Sequence, residues 1–187
     1  APHEVASAMT PATKLVWIET PSNPLLDITD IEKVATVAHG GGALVACDNT
    51  WATPLLQRPL ALGADLVVHA TTKYLAGHSD VTGGAVVVRG QTDTVERLQT
   101  VQRVAGVVPA PLDCWLVARG LRSLAVRMRA HVENALALAH FLDVHPAVER
   151  VHYPGLPNDP GHATAAKQMD DFGGMLSFVV RGGEAKA

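Results

Sequence analysis

Four short, almost wholly apolar runs constrain this chain more than any other feature. They are LVWIE (15–19), ALVACD (43–48), ADLVVHA (64–70) and GAVVVR (84–89). Each is far shorter than the roughly 18 apolar residues of a membrane span. Each has the length and β-branched content of a strand. A strand that is apolar throughout, rather than on alternate residues, belongs in a sheet with both faces covered. Helical stretches separate the runs, so the pattern predicts an α/β fold with a parallel or mixed sheet between helices.

The helical signals come with their own punctuation. ITDIEKVATVAH (28–39) repeats apolar residues at Ile31, Val34, Ala35 and Ala38. Thr29 or Asp30 can cap its start, and Gly40, Gly41 and Gly42 can end it. A short helix is expected near 55–62 and a longer one over 92–104. Pro109 and Pro111 bound a turn. Residues 112–144 read as helix with a break at Arg119-Gly120, ended by Pro146. The basic residues Arg122, Arg127 and Arg129 are expected on a solvated face or in salt bridges. VERVHYPG (148–155), a helix near 161–170 and MLSFVVR (175–181) read as the start of a smaller α+β unit. The expected division is therefore 1–145, part of a large domain, and 146–187, the beginning of a small C-terminal domain. No internal repeat is visible. Both ends fall in mid-pattern, so the chain is expected to be part of a longer polypeptide.

Composition excludes several classes. Apolar residues make up 48% and charged residues 18%, too apolar for a disordered tail. Aromatics at 4% leave little to stack bases on, and the net charge of −3 comes with no basic patch. A nucleic-acid partner is not expected. Neither is a membrane span or a signal peptide. Cys47 and Cys114 form no CxxC, and two cysteines make no disulfide framework. They read as reduced thiols in a cytoplasmic protein. The nine histidines show no HExxH and no zinc spacing, so no metal is expected.

In an open α/β sheet, ligands bind at the carboxyl ends of the strands. Three strand ends here carry polar residues: Glu19 to Asn23, then Asp48, Asn49 and Thr50, then His69 to Tyr74. Taken singly, each has a plainer reading. Lys73 can be a surface charge, Asp48 a turn cap, Thr71-Thr72 a helix cap and Asn23 a turn residue. Together, a carboxylate, a carboxamide, hydroxyls and an amine suit a phosphorylated aromatic aldehyde cofactor. Trp51 and Tyr74 read as packing residues that can also line the site. His78-Ser79-Asp80 has the letters of a catalytic triad, but neighbours in one loop do not form one. Cys47, one residue before Asp48 on a strand, points to the opposite face and reads as core.

The stretch ETPSNPLL…DNTWATPLLQRPLALGADLVVHATTKYLAGHSDVTGG strongly resembles the Cys/Met-metabolism family of pyridoxal-phosphate enzymes. The likeness continues through PAPLDCWLVARGLRSLAVRM, HPAVERVHYPGL and FGGMLSF, and so covers almost the whole chain. It implies a fold-type I large domain. It also implies that Lys73 resembles the Schiff-base lysine and Asp48 the partner of the pyridine nitrogen. Thr50 is similar to the residue beside the ring, Asn23 to the residue near the ring hydroxyl, and Thr72 to a phosphate ligand. The GHSD segment falls in the loop after the lysine. One position departs: the family carries Ser three residues before the lysine, and this chain has Ala70. Thr71 offers a hydroxyl from a different angle.

The resemblance implies a pyridoxal 5′-phosphate-dependent C–S lyase or synthase of the cystathionine γ-lyase or γ-synthase type. Methionine γ-lyase and homoserine-ester sulfhydrylase activities are the alternatives within the family. A non-catalytic homologue that keeps the fold is the alternative outside it, favoured only by Ala70. A small amino-acid substrate and a homo-oligomer, dimer or tetramer, are implied as well. Family members carry a phosphate loop and a stacking aromatic residue upstream, with a Tyr and an Arg lent by a neighbouring subunit. Downstream they carry an Arg for the substrate carboxylate. This stretch by itself is therefore expected to bind cofactor weakly and to catalyse poorly.

Overall fold

The computed structural model describes residues 2–90 and 92–183. In chain order the elements are α1 (Pro2–Ala8), β1 (Leu15–Glu19), α2 (Ile31–Gly40), β2 (Leu44–Asp48), α3 (Thr53–Leu56), β3 (Leu66–Ala70) and β4 (Gly84–Val88). There follow α4 (Asp93–Ala105), α5 (Pro111–Leu121), α6 (Leu124–Asp143), β5 (Val148–His152), α7 (His162–Gln168) and β6 (Ser177–Val180). The four strands expected from the apolar runs form one sheet in the order β1-β2-β3-β4. The first three are parallel and β4 runs antiparallel to β3. Both parallel connections carry a helix, as crossovers between parallel strands require.

Register decides what each strand residue faces. Ile18 pairs with Cys47, which pairs with Val67; Glu19 pairs with Asp48, which pairs with Val68. Side chains alternate across a strand. Val45, Cys47, Val67 and His69 therefore share one face, and Asp48, Val68 and Ala70 share the other. The first face is packed by α2. Asp30 caps that helix by accepting the Lys33 N–H at 3.1 Å. Ile31, Val34, Ala35 and Ala38 then turn inward onto Ile18, Val45 and Cys47. Each large apolar side chain buried there contributes roughly 1.5–3 kcal/mol. On the second face Leu15, Trp17, Leu44 and Val86 are exposed. Val87, on the first face, is exposed too, and Ala46, on the second, is buried. The sheet is mixed, mostly parallel and lies between helices, the α/β fold expected.

Several boundaries move from their expected places. The helix expected near 55–62 stops at Leu56, where Gln57 turns extended and the chain runs into Pro59. The break expected at Arg119-Gly120 falls at Arg122-Ser123 instead. Gly120 stays helical because its missing side chain lets α5 lie against backbone. A methyl there would land on the Ala76 carbonyl oxygen and within 2.7 Å of that of Leu75. α1 is a helix the apolar spacing did not show; Val5 and the following Met9 pack on the edge of the α2 core.

Arg127 corrects another expectation. It is not on a solvated face and makes no salt bridge among the described residues. Its guanidinium lies half-buried, donating from Nε to Ser123 Oγ at 3.0 Å and from Nη2 to the Gly120 carbonyl at 2.9 Å. Arg122 and Arg129 are exposed as expected.

Beyond α6 lies a separate antiparallel pair, β5 with β6. It packs on the inner face of α6 through Ala135, Ala139, Leu142, Val148, Val151, Tyr153 and Leu156. Tyr153 is fully buried and its hydroxyl donates to the Gly173 carbonyl at 3.0 Å.

Candidate active site

Because β1, β2 and β3 are parallel, their C-terminal ends meet along one edge of the sheet. Two of those ends are stapled together. Asp48 Oδ1 accepts the Thr50 N–H at 3.0 Å and the Thr50 hydroxyl proton at 2.6 Å. Thr50 Oγ1 in turn accepts the Ala70 N–H at 2.8 Å. The hydroxyl's one proton goes to the carboxylate and its lone pair to the amide, so Thr50 cannot turn without breaking both bonds. A hydrogen bond to an ionised carboxylate is worth about 1.5–3 kcal/mol. Asp48 Oδ2 carries no hydrogen bond among the described residues and stays available to a ligand.

The Asp48 charge is felt by its neighbours. Burial, then Asp48 beside it, raises the Glu19 carboxyl, against the Asn23 N–H that lowers it. Burial and the same charge push the Cys47 thiol up to about 12. Burial holds the His69 imidazole below its ordinary value, with Asp48 opposing. Cys47 is fully buried, as expected of a core residue.

Lys73 follows β3 on a wide turn over Thr71–Leu75 and itself leaves helical geometry, at φ −88° and ψ −125°. The kink exposes its side chain, whose Nζ sits 6.0 Å from the centre of the Trp51 ring. Trp51 meets Tyr74 edge-on at 6.2 Å, and Tyr74 meets the His131 ring at 5.2 Å. Burial raises the Tyr74 phenol. Thr72 Oγ1 accepts the Gly83 N–H at 3.0 Å and donates to the Gly83 carbonyl at 3.3 Å. That pair closes the loop carrying His78, Ser79 and Asp80. His78 Nδ1 lies 2.7 Å from the Ala76 carbonyl oxygen, a contact that shapes the loop. Gly77 has φ +72°, and a methyl on it would strike the Arg127 guanidinium. Gly120 and Arg127 therefore hold the lysine turn from behind.

The resulting cleft has a volume of about 710 Å³ and is lined by Lys73, Thr72, Trp51, Tyr74, Asp80 and Arg127 among others. Lys73 and Thr72 thus share a cleft, while Asp48 and Thr50 are joined at the strand ends beside it. Asn23 joins neither group. It is exposed on the loop after β1, and its side chain makes no hydrogen bond among the described residues. Trp51 and Tyr74 line the cleft as well as packing. Arg127 went unrecognised in the sequence, where it is one of several helical arginines with no distinguishing neighbour.

The donor set fits pyridoxal phosphate at its reactive and ring ends. Lys73 is an accessible amine without a carboxylate partner among the described residues, and Asp48 keeps a free oxygen. The phosphate end is thinner. Ala70 lacks a hydroxyl, and the Thr72 hydroxyl is already bonded to Gly83.

An α/β sheet with a lysine turn after one strand and a carboxylate at the end of its neighbour is the arrangement expected of a fold-type I pyridoxal-phosphate domain, and the comparisons with known proteins agree. The chain belongs to the Cys/Met metabolism PLP-dependent enzyme family, whose profile matches residues 1–187. It is 50% identical over 186 residues to a probable cystathionine gamma-synthase of Herpetosiphon aurantiacus, covering 100% of this chain and 58% of the relative. It is 49% identical to a cystathionine gamma-lyase of Dictyostelium discoideum, over 96% of this chain and 46% of that protein. The crystal structure of cystathionine gamma synthase from Xanthomonas oryzae pv. oryzae, in complex with aminoacrylate and cysteine, superposes with a TM-score of 0.95. There the identity is 51%, covering 99% of this chain and 48% of that one. The chain spans about half the length of the relatives it matches.

Proposed function

We propose that this chain supplies the lysine half of the active site of a pyridoxal-phosphate-dependent C–S lyase or synthase, of the cystathionine γ-synthase or γ-lyase type. The observation that carries the reading is the staple Asp48–Thr50–Ala70. It fixes a carboxylate at one strand end and the start of the lysine turn at the next. When bound, pyridoxal phosphate supplies an electron sink for the electrons left at the substrate Cα. Asp48 keeps the ring nitrogen protonated through a charged hydrogen bond. Lys73 would hold the cofactor covalently and, once substrate displaces it, its free amine would take the Cα proton and return it to the cofactor carbon. Arg127 lines the same cleft. Thr72 and Thr71 would offer hydroxyls to the phosphate, and Asn23, exposed on its loop, would serve the ring hydroxyl.

The same residues serve elimination and replacement, so the γ-synthase and γ-lyase readings share one site. Methionine γ-lyase and homoserine-ester sulfhydrylase activities are readings of that site too. The division at residue 145 is part of the proposal, as are a cytoplasmic location, inferred from two free thiols, and a homo-oligomeric assembly, dimer or tetramer. No helix among the described residues is long and apolar enough to cross a membrane.

The test is a covalent one. Incubation of the parent-length protein with pyridoxal phosphate and borohydride should add one reduced cofactor at Lys73, located by peptide mass, and Lys73→Ala should abolish it. An adduct unchanged by that substitution sinks the reading. No adduct at all favours the non-catalytic homologue that Ala70 suggests. Turnover of cystathionine, methionine and homoserine esters, with and without cysteine, then sorts the activities.

A further inference from the structure

A second polar assembly lies behind the site, and the proposed chemistry does not use it. Gln57, just after α3, is 1% exposed, and Thr20 and Asn49 are fully buried. The Gln57 amide is satisfied from three sides. Its Nε2 donates to the Thr20 carbonyl at 3.1 Å and to Asn49 Oδ1 at 2.7 Å. Its Oε1 accepts from Gln168 Nε2 at 3.1 Å. Asn49 Nδ2 returns two bonds, to the Thr53 carbonyl at 3.1 Å and the Gln57 carbonyl at 3.0 Å.

Each partner stands next to something the site needs. Asn49 sits between Asp48 and Thr50, the two members of the staple. Thr20 begins the loop that carries Asn23, and its Oγ1 accepts the Thr29 N–H at 3.0 Å, closing that loop at its far end. Gln168 is the last residue of α7. It donates to the Thr29 carbonyl at 2.9 Å and accepts the Ile31 N–H at 3.3 Å. One buried amide therefore joins the ends of β1 and β2 to a helix more than a hundred residues later in the chain. A packing residue at this depth would be apolar, because an amide that loses even one partner there costs a desolvation penalty.

We infer that Gln57 is a positioning residue. Its amide holds the Asp48–Thr50 and Thr20–Asn23 loops in fixed register and ties them to α7. The inference rests on the functional reading above for what those loops are for, but the coupling itself is independent of cofactor. Gln57 touches neither Lys73 nor the cleft; it acts through Asn49 and Thr20.

Amide hydrogen exchange on the cofactor-free chain tests it. In Gln57→Met the Thr50 and Ala70 amides should exchange about tenfold faster relative to wild type, the size expected when one buried hydrogen bond is lost. The Leu44 amide, bonded to the Lys14 carbonyl at 3.0 Å and remote from Gln57, serves as the internal reference. Ile31 should also exchange faster, because Gln168 loses its partner. Unchanged ratios at Thr50 and Ala70 overturn the inference and leave Gln57 as packing. Should the Met variant not fold, Gln57→Glu carries the test. It keeps the acceptor for Gln168 but has no N–H to donate, and at most one O–H when protonated. Thr50 and Ala70 should then lose protection while Ile31 keeps it, and wild-type ratios at all three overturn the proposal. The Lys73 adduct, measured in parallel on wild type, separates the two failures. A missing adduct with the exchange response intact sinks only the functional reading.

Discussion

Residues 44–76 and residues 93–121 use their side chains in opposite ways. The first stretch buries polar groups and satisfies most of them: Asn49, Thr53 and Gln57 are at most 1% exposed and are all hydrogen-bonded, and the buried His69 Nδ1 is the exception among the described residues. The second, α4 and α5, buries only Gly120. It turns Val101, Val104, Leu112 and Trp115 outward, each at least 60% exposed. Single exposed apolar residues are ordinary, but a run of them on two successive helices is not. The site edge is therefore self-contained, held by contacts within the described residues. The outer surfaces of α4 and α5 have no such support among the described residues. At Gly120, α5 lies on the lysine turn, and a methyl there would meet backbone carbonyls.

The sharpest contrast is chemical. Each region has one cysteine: Cys47 is buried on the site strand and Cys114 is exposed on α5. With its thiol pushed up to about 12, Cys47 at pH 8 is thiolate to only about one part in ten thousand. Native alkylation should label Cys114 alone, and denaturant should bring the count to two. Labelling of Cys47 in the native state would mean that the site edge opens.

Gly120→Ala should have the largest effect on stability. Helix propensity alone favours Ala by about 1 kcal/mol. The added methyl meets two carbonyls of the lysine turn, and such overpacking costs about 3 kcal/mol at the upper end of its usual range. The clash wins, so the urea midpoint should fall, and covalent capture at Lys73 should fall with it. A raised midpoint would show that α5 slides freely over the turn. Thr50→Val comes next. It strips Asp48 of a charged hydrogen bond and leaves the Ala70 N–H unpaired, which should cost about 2 kcal/mol in the same assay. Thr50→Ser should stay within about 0.5 kcal/mol.

Much of the site edge was legible because its information is local. The apolar runs marked all four strands, and the spacing of Ile31, Val34, Ala35 and Ala38 marked the buried stripe of α2. Strand parity put Cys47 opposite Asp48. Three kinds of feature were not legible. The end of α3 depends on Gln57 leaving the helix to reach Thr20 and Asn49, contacts with residues distant in sequence. The site of the α5–α6 break depends on Gly120 docking against Leu75 and Ala76, so a glycine that reads as a helix breaker is instead a contact. Arg127 faces inward because Gly77 leaves room for its guanidinium, and no periodicity carries that. Family resemblance supplied the roles proposed for Lys73 and Asp48; the bonds from Thr50 that hold Asp48 against β3 came only from the coordinates.

The smallest expected effect concerns His69, on the face of β3 opposite Asp48. It is 5% exposed, and its Nδ1 has no partner among the described residues. Burial lowers its pKa from 6.5, so the fold favours the neutral ring. In the unfolded chain the ring takes its proton near 6.5. Its contribution to stability is therefore fully present above that pH and is lost as pH falls from there through the folded value. Asp48 pulls the other way, which keeps the loss modest. Melting temperature should decline between pH 7 and 5 in wild type, and the decline should be shallower in His69→Asn. The difference between the two curves isolates this ring from the eight other histidines, which both proteins share. A difference of opposite sign would mean that the charged ring is the one the fold prefers. Asp48 would then act through the sheet on both faces, and the site edge would be less insulated than its hydrogen bonds imply.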